Sequence, residues 1–304
     1  MPCYAVVDVG TNSVKFHLGE RREDGTWRTV VDRAEITRLG EGLDKTGELS
    51  GEAMARTASA VAAMVTEARE RSAAGIAALG TMGMRTARNS DQLIDAVRQR
   101  CGVSIEVISG EEEARLAYLA VKSGLGLAAA SLAIFDTGGG STQFTFGHGS
   151  KVDERFSLNI GAVRYTERYS LGGVVSPGQL QAAQDAIATE LSQLDTRRSP
   201  DVLVGMGGAA TNIAAVKHGL AKYDPDIVQG SIIEHGEIER QIALYSSRSL
   251  AERRTIVGLQ PKRADVILAG ACILKTVMEK LRKDSLRVSD RGLRHGLLMD
   301  RFGS

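Results

Sequence analysis

Three short segments at the start of the chain alternate apolar and polar residues, the pattern of β-strands with one buried face. They cover 4–8, 14–18 and 27–35. Asp24 and Gly25 lie in the turn between the second and third segments, so the pattern predicts an antiparallel β-meander. Beyond a polar loop over 38–49, Ser50 precedes an Ala-rich segment that extends to about Arg71. Serine is a common helix N-cap, which predicts a helix here.

The rest of the first half alternates predicted strands with predicted helices. We expect strands over 76–80 and 105–108, a helix that begins near Asn89 or Ser90, and a helix from Ser109 to about Lys122. Ser109 and Glu112 have the spacing of a capping box, in which two side chains bond the first backbone N–H groups of a helix.

The pattern restarts near Ser131. Residues 5–19 and 133–147 align at a constant offset of 128, and six of the fifteen positions are identical. Both copies contain an apolar strand, an aspartate, a glycine-rich turn and a second strand. The repeat predicts two similar domains in tandem, 1–125 and 126–304, which join at the Gly- and Ala-rich stretch 123–130.

Strands and helices continue to alternate in the second half. We expect strands over 155–158, 202–205 and 285–288, and helices over 162–169, 177–194, 209–217, 263–281 and 291–301. One or two further helices are expected between 217 and 263.

Both copies of the repeat place an aspartate at the end of a strand and glycines directly after it: Asp8 and Asp136. Such a carboxylate can hold a divalent cation or its waters, and the amides of a glycine turn can approach an anion closely. Two such turns predict a phosphate clamp; the alternative is two tight hairpin turns without a ligand. The predicted N–H and hydroxyl donors are Gly10, Thr11, Asn12, Ser13, Gly138, Gly139, Gly140, Ser141 and Thr142.

A third glycine turn, at Gly207 and Gly208, precedes the predicted helix 209–217. A helix N-terminus suits an anion, but such a turn can equally be a tight connection between a strand and a helix.

Composition narrows the class of protein. The chain has 43% hydrophobic residues and 34 glycines, and none of its apolar runs approaches the roughly 18 residues of a membrane span. The amino terminus lacks the features of a signal peptide, so we expect a cytoplasmic protein without a membrane partner. Three scattered cysteines favour packed thiols over disulfides. No metal-ligand spacing links the histidines, which we expect at the surface or in packing contacts: His17, His148, His218, His235 and His295.

Charge is unevenly distributed. The whole chain carries 38 basic and 37 acidic residues, but 248–301 contains 13 basic and 6 acidic side chains. This excess fits either a solvated helix face or contacts with a polyanion. With 6 Phe, 6 Tyr and 1 Trp the chain has no aromatic stacking platform, so we expect no nucleic-acid partner.

Five motifs occur in order along the chain: Asp8-Val-Gly-Thr-Asn-Ser13, Gly80-Thr-Met-Gly-Met-Arg85, Ile108-Ser-Gly-Glu-Glu-Glu-Ala-Arg115, Asp136-Thr-Gly-Gly-Gly-Ser-Thr142 and Ser289-Asp-Arg-Gly-Leu-Arg294. Together they resemble the exopolyphosphatase/guanosine pentaphosphate phosphohydrolase family of the actin-like ATPase superfamily. The resemblance implies an α/β fold of two ribonuclease-H-like domains, with mixed sheets flanked by helices and the active site in the cleft between the domains. The carboxyl-terminal helix, 291–304, could pack back on the first domain.

The resemblance also implies roles for single residues. Glu113 falls on the catalytic glutamate that activates the attacking water, and Arg85 on an arginine that binds the transferred phosphoryl group. Asp136 and Asp8 are the expected ligands of Mg²⁺ or Mn²⁺, and a monovalent cation requirement is left open. The basic residues expected to contact further phosphates are Arg263 and Arg294, with Lys262 and Arg291 beside them.

The chain departs from the family at Gln143, where a glutamate usually follows Gly-Gly-Gly-Ser-Thr. An amide cannot act as a base and is a weaker Mg²⁺ ligand than a carboxylate. The departure puts in doubt any scheme that pairs Glu113 with a second acid at this position. Gln143 could instead orient water through a hydrogen bond.

We therefore expect a homodimeric exopolyphosphatase that releases the terminal phosphate of inorganic polyphosphate. Two alternatives stay open: hydrolysis of the 5′ γ-phosphate of guanosine pentaphosphate, and a catalytically weak nucleotide-binding regulator on the same fold. Because the sequence ends soon after the Ser-Asp-Arg-Gly-Leu-Arg motif, we also expect a bare two-domain core that is less processive on long polymer than extended relatives.

Overall fold

The computed structural model describes residues 1–23, 27–125, 127, 131–148 and 151–303. The chain divides into two compact units: Met1–Ala120 with Leu293–Ser304, and Val121–Gly292. The predicted turn residues Asp24 and Gly25, and part of the predicted junction 123–130, lie outside the described residues.

The first part of the chain forms the predicted meander and then alternates strands with helices. In chain order the elements are β1 (Cys3–Val9), β2 (Ser13–Arg21), β3 (Trp27–Ile36), α1 (Leu43–Thr46), α2 (Gly51–Glu70), β4 (Ala73–Gly80), α3 (Met82–Thr86), α4 (Ser90–Cys101), β5 (Ile105–Val107) and α5 (Gly110–Leu125). The strands and the long helices lie where the hydrophobic pattern predicts them. The short helices α1 and α3 are too brief to show a period and are not predicted.

The remaining elements begin with the second copy of the repeat. They are β6 (Leu132–Thr137), β7 (Thr142–His148), β8 (Lys151–Leu158), α6 (Ala162–Tyr169), α7 (Pro177–Glu190), β9 (Val202–Met206), α8 (Gly207–Lys217), α9 (Pro225–Val228), β10 (Ile232–Glu234), α10 (His235–Ser246), α11 (Leu250–Arg253), α12 (Ile267–Lys280), β11 (Ser285–Ser289) and α13 (Leu293–Phe302). Two predicted helices are too long. The segment 177–194 ends in a separate 3-10 turn, Ser192–Leu194, and 263–281 starts with another, Pro261–Arg263.

Each unit is built on one mixed sheet. The first sheet has the order β3-β2-β1-β4-β5, and the second has the order β10-β11-β9-β6-β7-β8. In both, the repeat contributes an antiparallel pair, β1 with β2 and β6 with β7, and the first strand of that pair also has a parallel neighbour, β4 or β9. The second sheet adds β10 as an antiparallel edge strand on β11. The predicted α/β class with two similar domains is confirmed.

Side chains of β1 alternate between the two faces of the first sheet. Val7 and Val9 join the apolar cluster that contains Met64 of α2, whereas Val6 joins a separate cluster with Leu297 of α13. Both faces of β1 are therefore covered, which explains why this strand is almost continuously apolar. The final helix belongs to the first unit, in which it packs on β1 and β2.

Helix capping follows the sequence at some positions only. Ser50 caps α2 as predicted, since its side chain accepts a hydrogen bond from Ala53 N. Ser109 Oγ accepts from Glu112 N at 3.1 Å, but Glu112 itself forms an ion pair with Arg115. Asn89 precedes α4 without capping it, because its side-chain amide bonds both backbone groups of Leu49.

The cysteines are packed thiols, as predicted. All three are free, and Cys101 and Cys272 are buried. Burial raises the pKa of the Cys272 thiol to about 12, so this thiol stays protonated at neutral pH. Among the described residues, no helix combines the length and the apolar character that crossing a bilayer requires.

Candidate functional site

The two glycine turns of the repeat have matching backbone geometry. In the first, Asp8 faces Lys15 across the β1–β2 pair, and Gly10 N donates to Ser13 O at 3.1 Å. In the second, Asp136 faces Gln143 across β6–β7, and Gly138 N donates to Ser141 O at 2.9 Å. Each of these positions is related to its counterpart by the offset of 128 found in the sequence. The repeat is therefore a structural duplication.

Neighbouring amides bond the carbonyl groups of the first turn. Thr11 O accepts from Gly40 N at 2.8 Å, and Asn12 O accepts from Thr37 N and Arg38 N. Thr11, Asn12 and Ser13 are buried. With its carbonyls bonded, the turn is held in one conformation, which suits an anion site whose remaining backbone groups are donors.

The second turn is held by the start of α6. Gly138 O accepts from Ala162 N at 3.0 Å, and Gly139 O accepts from Val163 N at 2.8 Å. The approach is so close that a Cβ on Gly161 would lie 2.4 Å from Gly139 O. Glycine at position 161 is thus part of the support of the turn, although no sequence motif identifies it.

The two turns differ in charge. Lys15 Nζ lies 2.8 Å from Asp8 Oδ2, and Asp8 is only 1% exposed. At the equivalent position the second turn has Gln143, whose Nε2 donates to Ser141 Oγ at 2.6 Å. Asp136 is partly exposed. No motif identifies Lys15, but the alignment of the two copies of the repeat makes it the equivalent of Gln143.

A third cluster lies at the N-terminus of α8. Gly207 has a φ of 83°, and a Cβ there would lie 2.4 Å from Asp136 Oδ1, so only glycine fits without strain. The guanidinium of Arg263 lies against Gly208, 2.1 Å from where its Cβ would be. The structure thus brings Gly207, Gly208, Arg263 and Asp136 together in the second unit. A helix N-terminus beside a guanidinium fits a phosphate group.

Asn212 connects this cluster to the segment that carries Arg263. Its Nδ2 donates to Gly208 O at 2.8 Å, and its Oδ1 accepts from Gln260 N at 2.8 Å. The Arg263 Nε in turn donates to Gln260 Oε1 at 3.1 Å. Asn212 is 1% exposed, and its bond with Gln260 depends on tertiary packing, so no local sequence pattern identifies it.

Glu113 and Arg85 meet in the first unit. Arg85 Nη1 lies 2.8 Å from Glu113 Oε2 and donates to Ile108 O at the same distance. Glu113 lies in the first turn of α5 and is 7% exposed. Its neighbour Glu112 binds Arg115, as expected for a glutamate with a purely structural role.

The sheet explains why these groups are close to the first glycine turn. Val9, Gly80 and Val107 form one row across β1, β4 and β5, so the turn, α3 and α5 all start at the same sheet edge. A Cβ on Gly83 of α3 would lie 3.1 Å from Thr11 Oγ1. Binding sites of open α/β sheets gather at the carboxyl ends of parallel strands, and β1, β4 and β5 end together on this side of the sheet.

Comparison with known proteins decides the family. The model of the Ppx/GppA phosphatase family matches residues 20–304. The chain belongs to the Ppx/GppA phosphatase family. Exopolyphosphatase 2 of Mycobacterium tuberculosis is 28% identical over 98% of this chain and 98% of its own length. A guanosine-5'-triphosphate,3'-diphosphate pyrophosphatase of Vibrio atlanticus is 32% identical over 99% of this chain.

The Ppx/GppA relatives differ in length. The chain spans 60% of the Vibrio atlanticus protein and 46% of another curated relative. A crystal structure of the Ppx/GppA family member from Aquifex aeolicus has a TM-score of 0.83, with 32% identity, 98% coverage of this chain and 97% of that chain. The two mixed sheets are thus the actin-like fold of this family.

Two of the phosphate-binding residues expected from the Ppx/GppA resemblance are engaged within the fold. Thr142 is fully buried, and its hydroxyl donates to Ile160 O at 2.6 Å. Arg294 Nε lies 2.5 Å from Asp32 Oδ1. This corrects the expectation that the Thr142 hydroxyl is available to phosphate, and a phosphate contact of Arg294 would require it to leave Asp32.

Several basic side chains of 248–301 likewise form ion pairs or hydrogen bonds within their own unit of this Ppx/GppA protein. Lys280 pairs with Asp195, and Arg301 pairs with Glu106. Arg253 is fully buried, where it donates to the carbonyls of Leu171 and Tyr245. Arg263, in contrast, lies beside Gly208 of a predicted phosphate-binding turn.

Asp136 and Asp8, the two predicted metal ligands, both offer carboxylates for the divalent cation that the Ppx/GppA family implies, but they do not suit it equally well. Mg²⁺ prefers carboxylate oxygens with room for its own waters. Asp136 offers a partly exposed carboxylate beside the second turn. In Asp8 one oxygen is bonded to Lys15, and the other, Oδ1, has no hydrogen-bond partner among the described residues and could accept a ligand, but at 1% exposure this carboxylate is closed to the waters that Mg²⁺ keeps. Asp136 is therefore the better candidate.

Proposed function

We propose that this protein hydrolyses inorganic polyphosphate from the end of the polymer. Water attacks the terminal phosphoryl group, and one phosphate is released per turnover. The observation that carries the proposal is the ion pair of the buried Glu113 with the partly exposed Arg85, at the end of the sheet that also carries the first glycine turn. A carboxylate, a guanidinium and a rigid amide-rich turn are the groups that water-mediated phosphoryl transfer needs.

Glu113 is proposed as the general base. A base must be held in place and ionised, and the guanidinium of Arg85 at 2.8 Å compensates the charge of the carboxylate and fixes its orientation. Glu113 would accept the proton of the attacking water as the new P–O bond forms and the bridging P–O bond breaks. Arg85 would at the same time stabilise charge on the phosphoryl oxygens.

The glycine turns and the N-terminus of α8 are proposed to bind phosphate oxygens. The turns and the guanidinium of Arg263 require no reorganisation when an anion arrives, because hydrogen bonds already hold them. The backbone of 37–40 holds the first turn, α6 holds the second, Asn212 holds Gly208 and Gln260 holds Arg263. Asp136 is proposed to hold Mg²⁺ or Mn²⁺. When bound, such a cation supplies charge neutralisation of the phosphates.

Inorganic polyphosphate is the proposed substrate because the groups of the site recognise phosphate. The backbone amides of both turns and of the α8 N-terminus, together with the guanidinium of Arg263 beside Gly208, are donors that phosphate oxygens accept. The relative named exopolyphosphatase 2 also matches this chain over nearly the full length of both proteins, which supports the same choice.

The test is a substrate panel. Phosphate release is measured on long-chain polyphosphate, tripolyphosphate and guanosine pentaphosphate, with Mg²⁺ and with EDTA, for the wild type, Glu113→Gln and the control Glu111→Gln. We expect release from polyphosphate to stop in EDTA and to fall about 10²- to 10⁴-fold in Glu113→Gln, the usual contribution of a general base, with little change in the control. Preferred release from guanosine pentaphosphate, or normal turnover by Glu113→Gln, would contradict the proposal.

A further inference from the structure

Two histidines and an aspartate lie together in the first unit, and none of them is among the residues to which a catalytic or phosphate-binding role is proposed above. His17 on β2 and Asp32 on β3 are direct cross-strand neighbours, and His295 reaches them from α13. Expected separately as surface or packing residues, the two histidines are 278 positions apart in the sequence, so no local spacing could show that they meet.

The ligating atoms of the three side chains point at one another. His17 Nδ1 lies 3.6 Å and His295 Nε2 lies 3.2 Å from the same oxygen, Asp32 Oδ2. The two imidazole rings are 4.4 Å apart between centroids, and all three candidate ligand atoms fall within 4.8 Å of one another.

His17 Nδ1 provides an independent sign that a ligand belongs here. The side chain is 2% exposed, and within the described residues Nδ1 has no hydrogen-bond partner. A buried polar atom without a partner destabilises a fold by about 1–3 kcal/mol, so such atoms normally bind something. Asp32 and His295 are 20% and 14% exposed, which leaves the group reachable from solvent.

We propose that His17, Asp32 and His295 form a binding site for a divalent transition-metal ion, with Zn²⁺ as the best match. Imidazole nitrogens with one carboxylate suit Zn²⁺ and its neighbours in the first transition row, whereas Mg²⁺ and Ca²⁺ prefer oxygen ligands. Tetrahedral bonds of about 2.0–2.1 Å place ligand atoms about 3.3 Å apart, so the present separations need only small side-chain movements. Water would complete the coordination.

Arg294 orients the Asp32 carboxylate and adds a positive charge to this site. Its Nε and Nη2 bind the two oxygens of Asp32 at 2.5 and 3.0 Å, which orients the carboxylate as outer partners of metal ligands do. Its charge also opposes a cation, so the site binds more weakly than one without an arginine. The bound ion would connect β2, β3 and α13 and thereby fasten the final helix to the first sheet.

The test uses Co²⁺, which accepts the same ligands as Zn²⁺ and has visible absorption bands that report its geometry. Wild-type protein is titrated with Co²⁺ in excess Mg²⁺, which fills oxygen-ligand sites. We expect one Co²⁺ per chain with tetrahedral bands, and loss of those bands in His295→Gln and in Asp32→Asn. The matched control is His235→Ala, which removes a histidine next to Glu239 and Glu279 in the second unit.

A stability measurement covers the case in which a variant folds poorly. Zn²⁺ should raise the Tm of the wild type and of His235→Ala, and EDTA should reverse the increase, whereas the Tm of His295→Gln should not respond. The proposal is overturned if wild-type protein gives no tetrahedral Co²⁺ bands, if His295→Gln keeps them, or if His235→Ala abolishes them.

Discussion

The turns after β1 and after β6 share a backbone and differ in the side chain that faces the aspartate. In the first, Lys15 neutralises Asp8 inside the protein; in the second, the uncharged Gln143 occupies that position and bonds Ser141. A duplicated backbone thus places a lysine across the strand pair from one aspartate and an uncharged amide across from the other. We infer that the first turn is a preformed, internally neutral element and that the second is the metal-binding one.

The largest effect is expected for Asp136→Asn. Loss of the charged oxygen removes the proposed anchor of the cation, whose transition-state stabilisation of several kcal/mol corresponds to about a 10³-fold decrease in kcat on polyphosphate. Steady-state phosphate release at saturating Mg²⁺ checks this. Gln181→Asn, an exposed change on α7 of the same unit, should leave kcat unaltered. Turnover of Asp136→Asn within a few fold of the wild type would show that the second turn holds no catalytic cation.

Gln143→Lys introduces into the second turn the positive charge that Lys15 provides in the first. An ammonium at position 143 faces Asp136 in the same register in which Lys15 faces Asp8, so we expect an internal ion pair that competes with Mg²⁺. A charged hydrogen bond of about 1.5–3 kcal/mol would raise the Mg²⁺ concentration for half-activation about 10- to 100-fold.

A negative charge at position 143 should shift the Mg²⁺ dependence in the opposite direction. Gln143→Glu introduces a second carboxylate next to Asp136 and should lower the Mg²⁺ concentration for half-activation. If the two variants shift the activation curve in the same direction, the charge at position 143 does not control metal binding.

Asp8→Asn should lower the free energy of unfolding. It leaves the ammonium of Lys15 without its carboxylate beside a buried amide, and because Lys15 is 22% exposed the loss should be about 1–3 kcal/mol, below that of a fully buried pair. Urea unfolding gives this value. In the double variant Asp8→Asn with Lys15→Met most of the loss should be restored, since no unpaired charge remains. Additive losses would mean that the pair contributes nothing.

The smallest effect is expected for Gly207→Ala. A φ of 83° disfavours any side chain by about 1–2 kcal/mol, and the new Cβ would also push on Asp136 Oδ1. Urea unfolding should show this decrease, accompanied by weaker Mg²⁺ activation. Gly236→Ala is the matched control, because it lies at a helix start, has no positive φ and has no neighbouring atom within 4 Å of its Cβ. Equal behaviour of the two variants would contradict the role of Gly207.

The sequence predicts the backbone of the site better than its chemistry. The offset of 128 predicts two equivalent strand–turn–strand units, because strand alternation and glycine turns are local properties. The Glu113–Arg85 pair could not be read from local patterns, since it depends on β1, β4 and β5 lying side by side. The role of Asn212 likewise depends on a tertiary contact, its hydrogen bond with Gln260.

Charge patterns along the chain were the least informative. The basic excess in 248–301 suggested a polyanion surface, yet Lys280, Arg294 and Arg301 pair with acids that are distant in sequence. Net charge counts side chains without knowing their partners, and partners are set by tertiary packing.

The division of roles between the two turns is tested most directly by metal binding itself. Mn²⁺ affinity is measured by electron paramagnetic resonance without substrate for the wild type, Asp136→Asn and Asp8→Asn, each carrying His295→Gln so that the proposed histidine site does not contribute. We predict that Asp136→Asn weakens Mn²⁺ binding at least about 100-fold, because a carboxylate is the main protein ligand, and that Asp8→Asn leaves it nearly unchanged. Loss of Mn²⁺ in Asp8→Asn with normal binding in Asp136→Asn would contradict the account.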